Sequence, residues 1–286
     1  MTSVFNELRL RPIAGGILSL IPGLYKWWDN QRPTGNTASS SYSKGIWEFH
    51  RDNYRRYTQK QHPYSIAELG PGATLGTCIA ALCDGVERAV GLDVCPYAGS
   101  SQLNQEMLDE LWTKPRSDSE FEVLAKAIRK LGSPLRSTPL KYVAPWMNES
   151  VIPEGGIDLV FSHSVLEHVD KPADAYKACF RWLKPNGIMS HKIDHSSHGI
   201  TSSWNGHYAI PRWLWKIIRG GRPYLLNRLT PSEHRALIKS AGFEIISEIL
   251  VNETDADRST ACSLKISEQD TECKTTAFVC RKPASI

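Results

Sequence analysis

Residues 66–76 read Ile-Ala-Glu-Leu-Gly-Pro-Gly-Ala-Thr-Leu-Gly. A short apolar run ends in an acid, Glu68, and a glycine turn follows at once through Gly70, Gly72 and Gly76. Glycine takes positive φ without steric cost and lets a ligand approach the backbone. The apolar segment behind the turn, Thr77 to Leu82, reads as a helix that offers its first N–H groups. A strand, a glycine turn and a helix form a cradle for a nucleotide-type cofactor at the start of a βαβ unit. A second acid, Asp93, ends the run Val90-Gly-Leu-Asp, roughly twenty residues beyond Gly72. A carboxylate accepts hydrogen bonds and ribose hydroxyls donate them, so Asp93 suits an adenosine ribose. The plainer reading is a turn aspartate ahead of Pro96. Six of the nine histidines, His163, His168, His191, His195, His198 and His207, crowd one stretch of chain. Imidazole exchanges protons near neutral pH, so this stretch is suited to acid–base work.

These residues need a sheet to hold them. Short apolar runs alternate with helical patterns, which implies parallel strands. The runs are Ser65–Leu69, Arg88–Leu92, Leu140–Val143, Ile157–Ser162 and Ile188–Ile193, and Glu244–Val251 and Thr276–Arg281 close the sheet. Helices are predicted over Lys44–Lys60, Thr74–Asp84, Leu103–Trp112, Glu120–Leu131 and Pro172–Leu183, the last closed by Lys184-Pro-Asn-Gly187. Another begins at Thr230-Pro-Ser-Glu233, a capping box with proline at the first helical position, and stops at Gly242. Residues 1–60 read as an arm and helix, and 61–286 as the main domain, with insertions at 96–139 and 195–228. The polar stretch 29–43 links the arm to its helix.

Composition narrows the class. A formal charge of +4 does not argue for a nucleic-acid partner. The seven scattered cysteines include no C-x-x-C pair, which fits a reducing cytoplasm better than a disulfide framework. The apolar run Ile13–Tyr25 is about 13 residues, short of the ~20 that span a bilayer. With Lys26, Trp27 and Trp28 beside it, the stretch 13–28 suits peripheral membrane contact, or packing on the protein itself.

The spacing G-x-G-x-x-x-G with an acid two residues upstream differs from a dinucleotide fingerprint. It resembles the first motif of class I S-adenosylmethionine (SAM)-dependent methyltransferases. The runs Ile157-Asp-Leu-Val-Phe-Ser-His-Ser-Val-Leu-Glu-His-Val169 and Phe180-Arg-Trp-Leu-Lys-Pro-Asn-Gly-Ile-Met189 resemble later signatures of that family, with Asn186 in place of a glycine. The resemblance covers about residues 60–195. It implies an α/β fold: a Rossmann-like seven-stranded methyltransferase sheet with helices on both faces, an N-terminal helical arm and two cap insertions. It assigns Glu68, Gly70 and Gly72 to the methionine end of SAM, and Asp93, with Val94 beside it, to the ribose. Relatives often carry an acid after the third strand for the adenine. This chain has Val143-Ala-Pro-Trp-Met there, so Ala144 and Trp146 are left to cover the base. Ser162 and His163 fall where the methyl group is presented.

Methyl transfer from a sulfonium is an in-line displacement in which the enzyme chiefly positions the acceptor. A hydroxyl acceptor also loses a proton, and His195, His198 and His207 are the candidates for that, His195 foremost because it follows the fifth strand. Some relatives bind a divalent ion through Glu-x-x-Glu-His. Ser164 stands at the first glutamate here, so no metal is assigned. The second insertion resembles a subgroup of bacterial methyltransferases associated with surface-polysaccharide assembly. Trp204, Trp213 and Trp215 with Asn205, His207, Asn227 and Arg228 suit a carbohydrate, and the tryptophans read equally well as core of the cap. The expected function is O-methylation of a sugar or other small polar acceptor by a cytoplasmic enzyme, free or membrane-associated. The alternatives are a lipid or quinone acceptor at a membrane, and a catalytically silent scaffold.

Overall fold

The structure is a computed structural model that describes residues 4–21, 37–112, 117–131, 138–146, 148–222, 224–253 and 266–284. Lys26, Trp27, Trp28, most of the 29–43 link and Cys262 lie outside the described residues.

Seven strands form one sheet: β1 Ser65–Leu69, β2 Arg88–Leu92, β3 Leu140–Val143, β4 Ile157–His163, β5 Leu183–Asp194, β6 Glu244–Asn252 and β7 Cys273–Arg281. Their order is β3-β2-β1-β4-β5-β7-β6. The first five are parallel, and β7 runs antiparallel between β5 and β6. Chain order reverses between β1 and β4, and in such sheets ligands bind beyond the carboxyl ends of the strands at that point. Gly70 follows β1 there, and His163 ends β4.

Every residue of β1 is buried, as a central parallel strand covered on both faces requires. The helices are α1 Val4–Glu7, α2 Leu10–Leu18, α3 Ser40–Thr58, α4 Gly76–Cys83, α5 Ser101–Leu111, α6 Asp118–Arg129, α7 Pro172–Trp182, α8 Arg212–Arg219, α9 Pro231–Ser240 and α10 Glu268–Glu272. On one face Ile66, Leu159, Phe161 and Ile188 pack with Trp47 of α3, Ile79 of α4, Leu108 of α5 and Ile128 of α6. On the other, Ala67, Val160, Met189 and Ile193 pack with Tyr176, Cys179 and Trp182 of α7 and Ile238 of α9. The capping box at Thr230 forms as expected: its hydroxyl accepts from the Glu233 amide, and the Glu233 carboxylate accepts from Thr230 N.

Two elements differ from expectation. Lys184-Pro-Asn-Gly187 does not stand apart as a turn but opens β5, with a register shift between Ile157 and Leu159 on the neighbouring strand. Asn186 takes φ 62° there, which asparagine tolerates. The 96–139 insertion supplies α5 and α6, and both lie in the layer that covers the sheet. The 195–228 insertion packs instead on the arm. Val4, Ile200, Ile210, Leu214, Trp215 and Ile218 form a small third core. Leu8 bridges Thr201, and Ser203 donates to Glu7. Gly16 seats α2 on α8, since a Cβ there would meet the carbonyls of Ile217 and Ile218.

Candidate active site

The glycine turn forms the floor of the site. Gly70 and Gly72 take φ 65° and 80°. A Cβ on Gly70 would lie 2.7 Å from the Val165 side chain, and one on Gly72 would lie 2.5 Å from Thr37 Oγ1. Only glycine fits either position. Thr37, ahead of α3, binds the turn twice: its hydroxyl accepts from Ala73 N (2.8 Å), and its carbonyl accepts from Thr74 Oγ1.

Asp93 is buried at the end of β2. Its Oδ1 accepts from Val94 N at 2.7 Å, so Val94 serves the turn through its amide. Burial raises the carboxyl above the ordinary range, against the amides of Val94, Cys95 and Gly72. The Val94 and Cys95 amides both meet Oδ1, and the Gly72 amide adds a third backbone bond to the carboxyl. Trp146 N donates to the Asp93 carbonyl at 3.0 Å, which brings the Ala144–Trp146 stretch to the same acid, while the Trp146 ring packs edge-on against Trp182. Tyr224 of the second insertion lies within the field of Asp93; burial raises its phenol first, with Cys95, Asp170 and Asp93 adding.

The other expected residues face elsewhere. Glu68 points into α4, where Cys78 Sγ donates to it at 3.2 Å. Burial pushes its carboxyl up to about 7, opposed by hydrogen bonds from Cys78 and Thr77. It holds the turn from beneath. Ser162 is fully buried and shares a 2.7 Å hydrogen bond with His191 Nδ1 inside the sheet. His163 does stand at the strand tip, against the rings of Tyr42, Phe49 and His50 of α3. Burial, with Lys192 nearby, lowers it to about 4, so it is neutral. Those three rings and Thr37 are site residues that spacing did not reveal. Phe49 and His50 fall inside the helix predicted over Lys44–Lys60, while Thr37 and Tyr42 precede it.

The three histidine candidates separate. His195 is buried and hydrogen-bonds Thr276 Oγ1 at 3.0 Å; burial lowers it to about 4 despite the Leu229 backbone and nearby acids. His207 is buried with its ring on Tyr208, and burial lowers it to about 3. His198 is exposed, on a left-handed backbone of φ 48°, and its Nε2 lies 3.3 Å from Asp194 Oδ2. Burial opposes ionisation of Asp194, but hydrogen bonds from His198 and Ser196 hold it well below the usual carboxylate range. Beside this pair opens a polar cleft lined by Arg9, Ser196, Ser197, Thr201, Ser202, Trp204, Glu253 and Lys274. Arg9 comes from the arm, so arm and insertion build the cleft together.

The carbohydrate-type residues of the second insertion mostly hold structure, within the insertion and between it and the rest of the molecule. Asn205 Nδ2 donates to the Thr271 carbonyl, Asn227 Nδ2 to those of Leu166 and Val169, and Arg228 to those of His207 and Ile210. Trp215 is buried under the Arg228 guanidinium, and Trp213 is exposed on α8. Trp204 alone of the three borders the cleft.

Residues 67–190 match the family described as a methyltransferase domain. No curated protein matches the chain. Among solved structures, a protein of Galdieria sulphuraria described as a sarcosine dimethylglycine methyltransferase is 13% identical over 84% of this chain and 86% of its own, with a TM-score of 0.50. A SAM-dependent methyltransferase from Mesorhizobium loti is 18% identical over 80% and 96% of the two chains, with a TM-score of 0.45. Phosphoethanolamine N-methyltransferase 2 of Haemonchus contortus, solved with SAM, is 16% identical over 83% and 53%, with a TM-score of 0.45. The 67–190 segment holds the glycine turn, Asp93 and the β4 tip. The protein is an enzyme of the SAM-dependent methyltransferase class, and SAM is its cofactor. The residues fit that cofactor: two glycines that admit no side chain border a buried carboxylate that the Gly72 amide reaches.

Proposed function

We propose that the enzyme methylates a hydroxyl of a small polar acceptor, with sugar-bearing compounds as the acceptor class. The observation that carries this is the polar cleft beside Asp194 and His198, rich in hydroxyls and bordered by the Trp204 ring. Hydroxyls and one flat apolar face suit a polyol better than a lipid tail. Bound SAM supplies an activated methyl group. The Gly70–Gly72 turn would receive its methionine end, Asp93 its ribose hydroxyls, and Ala144 with Trp146 its base. His163, neutral among the α3 rings, would border the transfer point without adding charge. Asp194 and His198 form the centre that handles the acceptor's proton, and replace His195 and His207, whose rings are enclosed.

A product screen with isotopically labelled SAM against monosaccharides, nucleotide sugars and glycosides tests this. His198→Ala should lose 100-fold or more in turnover, in the usual range for a proton-handling residue, while calorimetric affinity for S-adenosylhomocysteine stays within twofold. Methylation confined to amines, or full turnover in His198→Ala, would overturn the assignment. Failure to bind SAM at all would leave the scaffold reading.

A second reading concerns where the enzyme works. No described helix is long and apolar enough to cross a membrane. Yet α2, the two residues after Ser19, and α8 present Leu10, Ile17, Leu20, Ile21, Trp213 and Ile217 to solvent, with Arg11, Arg212 and Lys216 exposed among them. This surface suits peripheral contact with an anionic bilayer, and vesicle sedimentation tests it.

A further inference from the structure

One cation stands beside the transfer point with no acid to balance it. Lys192 lies two residues before the end of β5, and its register partner on β4 is His163 at the strand tip. Side chains alternate along a strand, so Lys192 shares a face with Ser190, whose hydroxyl meets His50 of α3. The Lys192 ammonium lies 5.9 Å from the centroid of the Phe49 ring, also on α3. Burial, and then the Lys192 charge, lowers His163 to about 4. Among the described residues the lysine side chain has no hydrogen-bond or ion-pair partner. The acids of this region are engaged or enclosed. Asp194 holds His198 and the Ser196 amide, and Glu167 is buried with its carboxyl raised well above the ordinary range by that burial. A half-buried charge between an aromatic ring and a neutral histidine costs the fold and gains from an arriving anion. Such a local conflict at the place of reaction marks a functional group.

We infer that Lys192 binds an anionic group of the acceptor, a carboxylate or a phosphate, so that the acceptor is an acidic sugar. The inference rests on the sugar-acceptor reading above and deepens it. Lys192 and Asp194 stand two residues apart on one face of β5, about 7 Å along the strand. One sugar ring spans that interval, with its anionic substituent on Lys192 and its reacting hydroxyl toward the Asp194–His198 pair. The ammonium offers three donors, and the Phe49 face beneath it steadies the lysine without using them. His163, being neutral, does not compete with the lysine for the anion. The sequence pattern hides this residue, because a lysine inside an apolar run reads as an exposed position of the strand.

The full chain, loaded with S-adenosylhomocysteine, is tested against D-glucose, D-glucuronate, D-glucose 6-phosphate and glycerol 3-phosphate. Binding is read by ligand-observed nuclear magnetic resonance, which registers weak ligands. Wild type should bind glucuronate or glucose 6-phosphate about tenfold or more tightly than glucose, as for one charge-assisted hydrogen bond. The better of the two tells carboxylate from phosphate. Lys192→Met should bring the preference within about twofold, while Lys192→Arg keeps most of it, since the charge and not the packing is read. Affinity for S-adenosylhomocysteine should stay level in both variants. Lys192→Gln is a second neutral variant, and neither neutral variant should melt below wild type, because no acid loses a partner. Equal binding of glucose and the acidic sugars by wild type, or an unchanged preference in the neutral variants, overturns the anion site and leaves the sugar acceptor standing. Lys192-dependent binding of glycerol 3-phosphate without binding of any sugar overturns the sugar acceptor alone. No binding of any of the four overturns both.

Discussion

At the scale of residues, one carboxylate of Asp93 serves two demands. Its Oδ1 closes the turn after β2 through the Val94 amide, and Oδ2 takes no part in that bond. Replacing it removes the turn bond together with the ribose contact of the proposed cofactor site. Asp93→Ala should weaken S-adenosylhomocysteine binding by about 2–3 kcal/mol, roughly 30- to 150-fold, as for two hydrogen bonds to a charged group. Calorimetry of the variant checks this; affinity within threefold of wild type would remove Asp93 from the cofactor site. The positive-φ turn at Gly70 and Gly72 and the acid at the tip of β2 were legible because the spacing of glycines and acid fixes both positions. Glu68 and Ser162 show where spacing stops. It places both on strands beside the site, but whether a side chain looks outward or into a covering helix depends on what packs there. Cys78 and His191 decide it. Tyr42, Thr37 and Tyr224 were not legible at all, since each reaches the site from a distant part of the chain.

At the scale of elements, the strands were the easiest to read and the insertions the hardest. A strand covered on both faces is dominated by apolar residues: β1 carries Ile66, Ala67 and Leu69, and β4 carries Leu159, Val160 and Phe161, with polar residues chiefly at their ends. An insertion can go wherever its apolar face finds a partner. That of α5 and α6 finds α4 and joins the covering layer, while α8 finds α2. The arm is thus part of the cleft wall, through Arg9, and not a separate appendage. Its pairing with α8 leaves an outer surface on which Leu10 is 82%, Leu20 66%, Trp213 58% and Ile17 52% exposed. Contiguous apolar patches on soluble monomers rarely exceed a few hundred Å² unless something covers them. With three cations among those side chains, vesicles of anionic phospholipid should sediment the protein and neutral phosphatidylcholine vesicles should do so several-fold less. Ile17→Glu with Trp213→Glu should abolish the difference while leaving cofactor affinity unchanged. Equal sedimentation of variant and wild type would show that this surface is not the contact.

At the scale of the whole molecule, the crowding of histidines in the sequence has a meaning that differs from the chemical one it suggests. His50, His191, His195, His207 and His234 are buried in and around the sheet, and His163 is largely enclosed. They bond neutral partners such as Ser190, Ser162, Thr276 and Tyr176. Burial lowers His163 and His195 to about 4 and His191 and His207 to about 3, and holds His50 and His234 well below the ordinary value. Each therefore binds a proton more readily in the unfolded chain than in the folded one. The sign follows from linkage: the folded state has its full advantage above about pH 6.5, where both states are neutral, and loses it as pH falls toward the folded values. Each such histidine costs about 1.4 kcal/mol per pH unit across that interval. Glu68, Glu167 and Asp93 act in the opposite sense, since burial raises all three and favours protonation in the folded state. Six histidines outweigh three carboxyls, so stability should fall between pH 6.5 and about pH 4.5. Urea midpoints measured at pH 7.5, 6.0 and 5.0 should decrease in that order. A midpoint that stays level or rises toward pH 5.0 would mean that the buried rings meet protons as easily in the fold as in water, and the enclosed packing of the sheet described here would be wrong.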